Sequence, residues 1–141
     1  MDENIDQAKQ EELDIWIKKQ LNTAVQKSMK QGGIEGLLVE AKPAWVLPFH
    51  VLIGKIRPQG KITEFQWCIC GEVPTDFLQP GIANTPREAL RHFSMKWQLA
   101  AARHQEVNLK NPAQDDPANQ LAAHAEDIYT LVEDDRLWMK D

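Results

Sequence analysis

Three groups of side chains have the types and spacing to do chemistry. In the first, Cys68 and Cys70 flank Ile69, and two residues apart on a strand both thiols point to one face. A strand pairing that sets Val51 opposite Trp67 places His50 across from Cys68, and two thiols with an imidazole are the beginning of a zinc site. Packing is the competing reading, and the one adopted. Structural zinc sites space their paired cysteines by two to four residues on a turn that converges them, whereas a regular strand does not. Free cysteine is also among the most commonly buried residues. A reactive thiol needs a depressed pKa, and His50 is the one group at hand to depress it.

The second group is Glu72 and Asp76, which leave the same strand in Gly71-Glu72-Val73-Pro74-Thr75-Asp76. They could serve as an acid/base pair or as hard-metal ligands at a strand end. They could equally be turn residues, with Gly71 at a bulge, Pro74 ending the ladder and Asp76 capping the turn. The third group is Arg87, Arg91 and His92 on the helix that follows, where two guanidinium groups would clamp an anion. Glu88 is less available because it is committed to a helix cap. No Gly-x-Ser-x-Gly elbow, His-Glu-x-x-His or Walker lysine occurs, and Gly32-Gly33 follows a helix, the reverse of a phosphate loop. These residues therefore stay candidates, with no catalytic, cofactor or metal site assigned.

The elements that must position them follow from periodicity. Residues 3–31 read as one helix: Leu13, Trp16, Ile17, Leu21, Ala24, Val25 and Met29 recur at three- and four-residue steps. Its acids come first and Lys27 and Lys30 come last, which suits the helix dipole. At about 1.5 Å per residue it would be roughly 40 Å long, so residues 1–10 are expected to project, fray or contact another chain. From Ile34 the period becomes two. Residues 36–40 are a short strand candidate, Trp45–Arg57 a second, and Ile62–Val73 a third, the last two joined through Pro58-Gln59-Gly60 as a hairpin. Thr85-Pro86-Arg87-Glu88 is a capping box with proline at the first helical position. The helix it opens runs to about Val107, and another starts at Pro117 and ends near Trp138. The expectation is an α+β domain spanning 1–141: a long first helix, an antiparallel sheet of two or three strands, and two C-terminal helices on one sheet face.

Composition limits the function. The chain has 141 residues, is 43% hydrophobic and carries a formal net charge of −5, a profile of an ordered globular chain rather than a disordered one. No apolar run approaches the roughly 18 residues of a membrane span. Charge is uneven: residues 86–110 are net basic and residues 111–141 net acidic. A chain that repels polyanions overall is not expected to bind nucleic acid, so the basic helix should sit beside the acidic one. The acidic Met1-Asp2-Glu3-Asn4 start does not read as a signal peptide, and a cytoplasmic protein with reduced thiols is expected.

The run Trp67-x-Cys-x-Cys-Gly-Glu-Val-Pro-Thr-Asp76, followed by Thr85-Pro86-Arg87-Glu88-Ala89 and a helix, resembles a family of small uncharacterised proteobacterial proteins described as a domain of unknown function. The resemblance implies a bacterial cytoplasmic protein and supplies no activity, cofactor or catalytic residue. The functional expectation is a non-enzymatic binding or adaptor domain that forms a homo-oligomer or binds another protein. The alternatives are a small enzyme or ligand-binding protein at Glu72–Asp76 with Arg87 and Arg91, and a metal site at His50, Cys68 and Cys70.

Overall fold

Pro48-Phe49-His50 divides what the alternating pattern runs together as one strand. Pro48 has no N–H to give a ladder and fixes its own φ, Phe49 takes a left-handed φ of 61°, and the His50 N–H donates to the Leu47 carbonyl at 3.0 Å. The result is a turn with proline at its second position and a positive φ at its third. Two strands leave it, β1 (Val39–Leu47) and β2 (Val51–Pro58), paired antiparallel with Leu47 opposite Val51 and a bulge between Pro43 and Trp45.

The computed structural model describes residues 2–32, 39–58, 64–108 and 117–139. Residues 36–38 of the strand candidate at 36–40 and the hairpin loop at 59–63 lie outside the described residues, while Val39 and Glu40 begin β1. The chain divides into two compact units, Met1–Gly81 and Ile82–Asp141. The class is α+β, with three helices and four strands in place of the two or three expected.

In the first unit, α1 (Asp2–Gly32) packs on a sheet completed by β3 (Gln66–Gly71) and β4 (Asp76–Leu78), in the order β1-β2-β3-β4 and antiparallel throughout. The stripe read from the sequence is the packing face of α1: Trp16, Ile17, Leu21, Ala24 and Val25 lie against Leu52, Ile56, Cys68 and Cys70. Trp16 also meets Phe49 of the turn, ring centroids 5.8 Å apart. Both faces of the central strands are buried, since Val51, Ile53, Trp67 and Ile69 on the opposite side are buried as well.

The second unit is a helical hairpin of α2 (Pro86–Asn108) and α3 (Pro117–Glu133), closed by a short 3-10 turn at Asp135–Leu137. The capping box forms as read. Thr85 Oγ1 accepts from the Glu88 N–H at 3.1 Å, and the Glu88 carboxylate reaches back to the Asn84 N–H at 2.8 Å. Leu90, Phe93, Trp97 and Ala101 of α2, with Ala118, Ala125, Ile128 and Val132 of α3, are buried. Ser94 is buried among them and donates to the Ala125 carbonyl at 2.9 Å. The last helix stops short of Trp138 because Asp134 caps the turn that follows, its side chain accepting from the Arg136 N–H.

Candidate functional site

Cys68 and Cys70 share one face, as the strand period requires, but His50 is not across from them. The turn at 48–50 removes His50 from the strand, and the pairing of β2 with β3 sets Gly54 opposite Cys68 and Leu52 opposite Cys70. The face expected to be polar is the one α1 covers: both cysteines are fully buried. Gly54 leaves the room, because a Cβ there would come within 3.0 Å of Cys68 Sγ and 3.3 Å of Leu21. Burial in this apolar layer pushes both thiols up to about 12; at Cys70 the neighbouring Cys68 adds to the rise, while a hydrogen bond with the Gly54 backbone lowers Cys68 slightly. Thiols held protonated are neither good nucleophiles nor ready metal ligands. Among the described residues no group of three or more His, Cys, Asp and Glu side chains is arranged to hold a metal ion.

The strand-end loop is tied into the fold. Gly71 has φ 122°, and its carbonyl neighbourhood is tight enough that a Cβ would sit 2.3 Å from the His50 carbonyl oxygen. That close approach lets the Glu72 N–H donate to His50 at 2.8 Å. The Glu72 side chain is exposed. Asp76 is half-buried at the start of β4, opposite Ile69, and its carboxylate accepts from the Phe77 N–H at 2.8 Å. Thr75, between them, gives its carbonyl to the Lys27 ammonium of α1.

On the hairpin, Arg87 is engaged three times. Its Nε donates to the Val132 carbonyl at 2.9 Å, its Nη2 pairs with Asp135 at 2.6 Å, and its guanidinium lies 5.9 Å from the Trp138 ring centroid. The arginine offered as an anion clamp therefore staples the beginning of α2 to the end of α3. Arg91 is exposed and His92 half-buried on the same helix.

Two groupings had no local signal. On the sheet, Lys42 and Arg57 lie 4.6 and 4.1 Å from the Phe65 ring centroid, Lys55 lies 5.0 Å from that of Trp67, and Glu40 pairs with Arg57 at 2.6 Å. Lys42 and Lys55 are direct cross-strand neighbours, a like-charge pair that the rings and the carboxylate offset. On the hairpin, an open groove of about 600 Å³ runs between the helices, lined by Met95, Gln98 and Ala102 of α2 and by Ala122, Glu126 and Tyr129 of α3. Met95, Leu99 and Tyr129 are 51%, 59% and 46% exposed. Met95 and Tyr129 lie far apart in sequence, and the groove they line exists only once the hairpin closes.

A four-stranded antiparallel sheet with a long covering helix and a helical hairpin is thus an α+β protein in which Cys68 and Cys70 pack in the core, Asp76 caps a turn and Arg87 staples the hairpin. The chain belongs to the family described as domain of unknown function (DUF4826), whose model matches residues 9–138. Neither a curated protein nor a solved structure matches it. Among the described residues no helix is long and apolar enough to cross a membrane.

Proposed function

We propose that this chain is a non-enzymatic binding module that self-associates through the outer face of its α2–α3 hairpin. The observation that carries the reading is the pair of exposed apolar side chains, Met95 and Tyr129, that line the groove. Covering apolar surface is worth about 25 cal/mol per Å², and an interface sets such a centre inside a charged rim. The projecting start of α1 offers far less. Asp6 to Glu12 are exposed, and Ala8 is the one apolar residue among them, so association is placed on the hairpin rather than on residues 1–10.

The candidate chemistry supports the same reading. Arg87 and Asp76 are engaged in the fold, and the two thiols are buried and protonated. The free cysteines support a reducing compartment, and we assign the bacterial cytoplasm. A net charge of −5 supports a protein partner over a polyanion.

Native mass spectrometry of protein purified without chelator tests this. The expected species is a bare homodimer, twice the 16.1 kDa chain. A bare monomer at micromolar concentration overturns self-association. A stoichiometric metal or small-molecule adduct overturns the non-enzymatic part, and its mass directs attention to Cys68/Cys70 or to Glu72, Asp76 and Arg91.

A further inference from the structure

Resting on that reading of self-association, we infer that two copies meet about a two-fold axis running along the hairpin, which lays α2 of one copy on α3 of the other as a four-helix arrangement. The first support is spacing. Arg91, Met95, Gln98 and Ala102 follow one another at four-, three- and four-residue steps, and so do Ala122, Glu126, Tyr129 and Glu133. These are the steps of a seam that packs against another helix. Six of these eight residues line the open groove: Met95, Gln98, Ala102, Ala122, Glu126 and Tyr129.

The second support is charge. Among the described residues, the exposed acidic and basic side chains of α2 are Arg91, Lys96 and Arg103, and those of α3 are Glu126, Asp127 and Glu133. One helix presents cations and its neighbour presents carboxylates. A two-fold interface uses the same patch twice, so the patch must complement itself. Setting α2 on α2 would oppose cation to cation and carboxylate to carboxylate. Setting α2 on α3 pairs opposite signs twice, by symmetry, and steers the encounter. Levels agree as well. Arg87 bonds Val132 and Ser94 bonds Ala125 across the hairpin, so Arg91 lies level with Ile128, within a turn of Glu126 and Tyr129. The rotation keeps these levels, bringing Arg91 between the counterparts of Glu126 and Tyr129 and Met95 between those of Ala122 and Glu126.

Size is sufficient. The 17 residues of α3 span about 25 Å, and two adjacent helices are about 20 Å across. Two copies then bury on the order of 1,000 Å², the lower bound for a stable interface.

Charge reversal separates this pairing from self-association in general. One variant carries Arg91→Glu, a second carries Glu126→Arg, and sedimentation velocity reads the mass of each in its full chain. Each alone is expected to dissociate, its dimer weakened by roughly tenfold or more. A one-to-one mixture is expected to recover a dimer, and the chain with both substitutions is expected to dimerise with the signs exchanged. The wild-type dimer should loosen as salt rises. A dimer that persists in both reversed variants, or that tightens with salt, overturns the pairing and leaves self-association standing. A monomeric wild type overturns both.

Discussion

At the residue scale, Cys68 and Cys70 show how burial decides chemistry. Both sit under α1 and both are raised to about 12 from an ordinary value near 9. Because the folded pKa lies above the unfolded one, their contribution to stability is complete below pH ~9 and is lost as pH rises toward 12. We predict that the urea midpoint falls from pH 8 to pH 10 and that a Cys68→Ala, Cys70→Ala variant, although weaker overall, loses part of that slope. Slopes that coincide would contradict the assignment. The native thiols should also resist a thiol reagent at pH 8 until the protein is unfolded. At Gly71 the argument is steric: a φ of 122° and a Cβ 2.3 Å from the His50 carbonyl oxygen leave no room for a side chain. Gly71→Ala is expected to cost roughly 2–4 kcal/mol in chemical denaturation, and a loss under half a kcal/mol would show that the loop relaxes freely. The even spacing of the two thiols was legible in the sequence. Their packing role was legible too; the helix that covers them was not, because docking from elsewhere in the chain decides what lies over each strand face.

At the element scale, the ends were the most readable parts. Thr85, Pro86 and Glu88 mark the start of α2 by local hydrogen bonding alone, and the stripe from Trp16 to Val25 of α1 is its packing face. The strands were less readable. Alternation continues through Pro48-Phe49-His50 with the same apolar period, so it does not reveal that the chain turns back there; the positive φ of Phe49 does. The pairing of β2 with β3 was misplaced separately: a short hairpin at Pro58-Gln59-Gly60 sets Val51 against Trp67, whereas the strands pair Val51 with Gly71. The role of Arg87 depends on Val132, Asp135 and Trp138, contacts that no local pattern announces. Arg87→Ala is expected to lower stability by about 1–2 kcal/mol, mostly through the lost charged hydrogen bond to Val132, since the exposed Asp135 adds little. Equilibrium denaturation measures it. Deleting residues 1–10, whose described side chains are exposed, is expected to leave both the melting temperature and the oligomeric mass essentially unchanged. A fall to monomer on that deletion would move the contact surface to α1.

At the scale of the whole molecule, a basic α2 and an acidic α3 lie side by side in one hairpin, as the uneven charge of the sequence suggested. What composition could not convey is that the groove of that hairpin keeps Met95 and Tyr129 in water. Within a single chain that arrangement is incomplete, because apolar side chains flanked by opposite charges are the pattern of an interface core with its rim. The proposed self-association would complete it, and would account for both the exposed apolar side chains and the division of charge between the two helices. The most direct test is sedimentation equilibrium of the wild-type chain beside a Met95→Glu, Tyr129→Glu variant, both exposed positions that leave the hairpin core intact. The account predicts a dimer for the wild type and a folded monomer for the variant. The same mass for both, whether monomer or dimer, would contradict it.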